Sequence, residues 1–162
     1  MAKLISSLEV IEKALIMGNI DPSLITDFYI EIAQEEFIRP VLTQDLYDLV
    51  VSEKNANVFT DSNETLLNDY IKPCLAFYVA CIVVPHIAVR ITNKGVVINT
   101  AETSQFANRE ERNDLIAKLK SHGDTLSEKM VRYLSDNTTI FTLFANGSSD
   151  TLSGTFKAGI IM

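Results

Sequence analysis

With 162 residues, 47% of them apolar, the chain is long enough for one domain with one core and too hydrophobic for a disordered segment. Its net charge of −7 and its scattered lysines and arginines exclude a nucleic-acid reader, which works by neutralising phosphates.

In chain order, Leu4–Met17 carries Leu4, Leu8, Ile11, Leu15 and Ile16 at helical spacing and is stopped by Gly18-Asn19. Asp21 then reads as an N-cap with Pro22 at the first helical position. The helix that follows points Ile25, Phe28, Tyr29, Ile32 and Ala33 at the core, and Pro40 is expected to end it. A short helix from near Thr43 to Val51 precedes a polar loop from Ser52 to Asn63. Asn63 is read as the cap of the next helix, which Pro73 should break or kink near Lys72.

The run Cys74–Val84 is apolar on every face and reads as the central helix. Stopped by Pro85, it has about half the length that a bilayer-spanning helix needs, so no membrane role is expected. Nor does the stretch after Lys3 resemble a signal peptide. Cys74 and Cys81, two helical turns apart, are roughly 10 Å from one another. That is beyond disulfide reach, so they read as small apolar groups in a reducing cytoplasm.

Beyond Pro85 the period changes. Val89–Thr92 and Val96–Asn99, joined by Asn93-Lys94-Gly95, predict a β-hairpin near residues 88–99. A long helix over Arg109–Ser135 follows, with Leu115, Leu119, His122, Leu126, Met130, Tyr133 and Leu134 inward. Gly123 marks a bend or a close neighbour. Thr138–Phe144 reads as extended. The expected organisation is a mainly α domain over 1–145, a bundle of four to five helices with an inserted hairpin. Residues 146–162 follow as a flexible spacer and an extended C-terminal tail.

The tail ends apolar, with Phe156, Ile160, Ile161 and Met162. Burying them yields roughly 6–12 kcal/mol, against about 7–14 kcal/mol for ordering seven residues. Docking therefore requires backbone pairing or many simultaneous contacts, on its own domain or on another chain. Both remain open from sequence.

No Gly-rich phosphate loop, Cys-x-x-Cys or His-x-x-x-His is present, so neither a cofactor nor a metal is expected, and the chain reads as no enzyme. His122 reads as a part-buried structural histidine rather than a general base. Asp27, Glu31 and Glu35, spaced by four, share one helical face with Glu36 beside them. A single straight row cannot surround a cation. It is a solvated face, or a strip meeting basic residues of a neighbour such as Lys118, Lys120 or Arg132.

Seven segments taken in order carry a family likeness: Leu4-Ile5-Ser6, Asn19-Ile20-Asp21, Ile32–Leu42, Asp45-Leu46-Tyr47, Tyr70–Ala76, Thr92–Val97 and Tyr133–Asn137. The succession resembles head–tail connector (ring or adaptor) proteins of tailed bacteriophages, most closely those of crAss-like phages, over nearly the whole chain. Similar proteins often carry Leu-Gly where this chain has Leu42-Thr43, and a proline near Phe141-Thr142 that is absent here.

The resemblance implies a structural virion protein, made in the bacterial host cytoplasm and located in the neck between head and tail. It implies a homo-oligomeric, twelve-fold ring against the portal and other neck or tail proteins. Genomic DNA would pass through without specific binding, and the resemblance carries over no catalytic residue. The subunit contacts expected are Asp27, Glu31 and Glu35, then Asn93, Lys94, Gly95 and Val97 of the hairpin, and Phe156, Ile160 and Ile161 of the tail. A soluble helical adaptor binding a single protein partner is the alternative.

Overall fold

The computed structural model describes residues 3–15, 20–92, 95–98 and 109–145. The chain is mainly α. Its helices are α1 (Ser7–Val10), α2 (Asp27–Ala33), α3 (Arg39–Leu42), α4 (Gln44–Ala56), α5 (Asp61–Thr65), α6 (Lys72–Ala88) and α7 (Arg109–Asp136). Between α6 and α7, β1 (Val89–Thr92) and β2 (Gly95–Ile98) pair antiparallel, with Val89 opposite Ile98 and Thr92 opposite Gly95. The predicted turn residues Asn93 and Lys94, and the whole tail from 146, lie outside the described residues.

Local chemistry starts the helices. Ser6 and Glu9 form a reciprocal capping box on α1. Asp21 caps as expected, accepting the Ser23 N–H at 2.9 Å, but over a single 3-10 turn, Pro22–Leu24. The true α2 begins after Thr26. Thr60, not Asn63, is the N-cap residue before α5. Asn63 is buried and donates to Glu53 at 2.9 Å. α4 runs to Ala56, five residues past Val51, and closes on Asn57 in the left-handed conformation at φ 52°.

The prolines behave differently from expectation. A wide π turn, Gln34–Ile38, connects α2 to α3, and the chain passes helically through Pro40 to Leu42. A second π turn, Leu66–Ile71, joins α5 to α6 and precedes Pro73. In both, the last N–H before the proline bonds five residues back: Arg39 to the Gln34 carbonyl, Lys72 to that of Leu67. Widening the turn draws aside the carbonyl that a proline ring would strike, so neither helix breaks. Pro85 also lies within α6 rather than at its end. A third π turn, Ile11–Leu15, follows α1.

Because Pro73 does not interrupt it, Asp61–Ile87 is one helical span of 27 residues, long and apolar enough to cross a bilayer. The length argument drawn from Pro85 therefore fails, and 44% of the apolar window of this span is buried inside the fold. Ile71, Cys74, Leu75, Ala76, Val79, Ala80 and Val83 are fully buried against the chain's own helices. α7 covers one flank of α6, and α1, α2 and the π turns cover others. Phe37 stacks on Tyr78 at 4.1 Å and Tyr70 on Tyr133 at 4.2 Å, tying the layers together.

On α7 the inner residues Leu119, Met130 and Leu134 are buried, whereas Leu115 is 46% exposed and His122 is exposed. Gly123 is a close-approach site: a Cβ there would stand 2.8 Å from Tyr78 Cε1. The predicted extended segment after α7 is instead a turn followed by a helical stretch over 142–145, which buries Phe141 and Phe144.

Candidate functional site

The acidic row lies on the helix formed by α2 and its π turn, and the structure divides it. Asp27 is drawn off by Lys3 at 2.7 Å, a pair with both partners exposed. Glu31 and Glu35 instead line a solvent-open groove of about 400 Å³ with Phe28, Ile32 and Glu36. Glu35 pairs with Arg39 and accepts the Tyr47 hydroxyl at 3.4 Å. That end of the row is held in place by the side chains beneath it. Surface pairs of this kind contribute only about 0–1 kcal/mol each, so they position the carboxylates more than they stabilise the fold.

Of the five residues expected inward, Ile25 and Ala33 are buried and Tyr29 packs on the core, but Phe28 and Ile32 line the groove instead. Ile30, Ala33, Gln34 and Ile38 are buried, while Phe28 is 64% exposed and Ile32 is half-buried. Gln34 turns the helix. Its Oε1 accepts the Leu4 N–H at 2.7 Å and its Nε2 donates to the Tyr47 hydroxyl at 3.3 Å. A buried amide with both ends occupied fixes the helix's rotation. Phe28 and Ile32, one turn apart, are thereby left on the outer face between carboxylates. Sequence reasoning placed both in the core; the signal for their exposure was a glutamine at a buried position.

The other named residues are scattered. Gly95 and Val97 fall in β2. His86 stacks on Tyr29 at 5.2 Å and His122 tilts against Phe77 at 5.4 Å, both on the exposed surface. Lys120 pairs with Asp124 in its own helix at 2.9 Å. Both cysteines are free thiols. Burial pushes the Cys74 thiol up to about 12 and raises that of Cys81 as well, so both are protonated and unreactive at neutral pH. Among the described residues, no three His, Cys, Asp or Glu side chains are grouped to hold a metal ion.

An apolar floor between carboxylates accepts a segment that offers apolar side chains beside a cation. That is what this arrangement does best chemically.

Compared with known proteins, residues 38–151 match the model of a family of unknown function (DUF6712). No curated protein and no solved structure matches the chain. The groove residues all precede the matched stretch, which holds the rest of the fold from Ile38 onward. Since the match takes in well over half of the sequence, the chain belongs to the DUF6712 family, a family of unknown function.

Proposed function

We propose that this chain is a structural virion subunit: one copy of an oligomeric ring that joins the portal of a phage head to the tail and forms part of the DNA channel. The likeness in order and spacing of seven segments supports the reading, and one structural observation carries it furthest. Thr43 has φ 70° and ψ 154°, a backbone conformation that is essentially glycine's. It stands where similar connector proteins often have that glycine. A glycine would adopt this geometry without strain, so the junction is compatible with the residue those proteins often carry although this chain departs from it.

In this reading β1 and β2 belong to an inserted hairpin that reaches an adjoining protein. The acidic row and the tail supply further contacts between copies. A net charge of −7 keeps packaged DNA from adhering to the channel wall. Electron microscopy of intact virions tests this: the subunit should fit ring density at the neck, next to the portal. Absence of the chain from purified virions would overturn the proposal and favour the single-partner adaptor.

A further inference from the structure

We propose that the groove of Phe28, Glu31, Ile32, Glu35 and Glu36 is the docking site of the chain's own C-terminal segment, Phe156–Met162, in the free subunit. The inference goes beyond the ring reading and does not rest on it.

Chemistry selects the occupant. From residue 151 onward the sequence is Thr-Leu-Ser-Gly-Thr-Phe-Lys-Ala-Gly-Ile-Ile-Met, with no acidic side chain and Lys157 as its one charged side chain. The groove offers the complement: Phe28 and Ile32 as an apolar floor, and along it the carboxylates of Glu31, Glu36 and Glu35, the last already paired with Arg39. A lysine flanked by Phe156 on one side and Ile160-Ile161 on the other matches a floor flanked by glutamates, and these apolar and ionic contacts made together are the simultaneous contacts that must offset the ordering of the tail.

Reach permits it in the same molecule. The helical stretch 142–145 ends beside the far end of the groove's helix, because α3 packs on α7 and Thr43 Oγ1 donates to the Leu143 carbonyl at 3.4 Å. From Thr43 back to Ile32 is roughly 16 Å along the helix axis and to Phe28 roughly 22 Å. Residues 146–155, extended, span up to roughly 33 Å, enough to cover that distance and pass round the helix. A tail docked in this direction would bring Lys157 to Glu36 and to the Glu35–Arg39 pair first, and Ile160 and Ile161 to Ile32 and Phe28. Both partners also lie outside residues 38–151, so the match to the family neither includes nor requires this pairing.

The test is hydrogen exchange by mass spectrometry on the full chain at two protein concentrations, with Phe28→Ala and Lys157→Glu as variants. Phe28 is largely exposed, so its removal leaves the core intact. The proposal predicts that amides of Phe156–Met162 exchange about tenfold more slowly than in a free peptide of the same sequence. It predicts equal protection at both concentrations and its loss in each variant. Free-peptide rates in the parent chain overturn the proposal, as does protection that survives both variants. Protection that rises with concentration assigns the segment to a second copy's groove and overturns docking at home.

Discussion

Thr43 and Leu143, one hundred residues apart, meet where Thr43 Oγ1 donates to the Leu143 carbonyl at 3.4 Å. This long hydrogen bond falls at a junction where a β-branched residue holds a glycine conformation, φ 70° and ψ 154°. A strained link between α3 and α4 thus sits against the last described turn of the chain.

That strain is testable by Thr43→Gly. The conformation costs a threonine about 1–3 kcal/mol, while the hydrogen bond lost is weak and part-buried. Against this, glycine gains freedom in the unfolded chain worth up to about 1 kcal/mol. Chemical denaturation should show Thr43→Gly more stable by about 1 kcal/mol. A loss of stability would mean that the hydroxyl contributes more than the backbone strain removes.

Gly123→Ala should act in the opposite direction. Alanine is the better helix former by about 1 kcal/mol, but its Cβ would lie 2.8 Å from Tyr78 Cε1. The Tyr78 ring cannot move freely: it stacks on Phe37, and its hydroxyl donates to Asp124 at 2.8 Å. Overpacking of this kind costs about 1–3 kcal/mol. The variant should therefore unfold at lower denaturant, and a gain in midpoint would contradict the close α6–α7 approach.

A third expectation concerns acid. Partial burial of Glu9 works to raise its pKa. The Lys72 ammonium at 2.7 Å and hydrogen bonds from Ser6 outweigh that, bringing it from 4.5 down to about 2. A depressed carboxylate stabilises the fold fully above its unfolded pKa and ceases to do so as pH falls through the folded value. The window is thus from about 4.5 down to about 2. Discounted for partial exposure, its contribution is roughly 1–2 kcal/mol. Glu9→Gln should lower stability at pH 7 and flatten the acid limb in that window. An unchanged limb would show that the pair does not govern it.

Much of the fold was readable because its signals are local. The limits of α7, the inward Leu119 and Met130, the cap at Asp21 and the crowding at Gly123 all follow from period, cap chemistry or a missing side chain. The prolines misled, because a π turn is a property of the assembled helix and lets Pro40 and Pro73 continue it. The groove was half legible. Spacing of four placed Glu31 and Glu35 together, but the rotation that exposes Phe28 depends on Gln34 meeting Leu4 and Tyr47, contacts that periodicity does not encode.

If β1 and β2 carry a contact to a neighbour, Val97→Asp should abolish or strongly weaken assembly. A two-stranded pair is marginal in water and gains from having its apolar side chains covered. Size-exclusion chromatography and thermal unfolding of the variant read the two effects apart. Unchanged stability together with unchanged assembly would remove the strand pair from the interface.

The ring claim itself is met most directly by mass photometry of the purified chain, alone and with the portal protein. The account predicts closed species at many times the 18.0 kDa subunit mass, formed or enriched when portal is present. A chain that stays monomeric or dimeric in both conditions would contradict it.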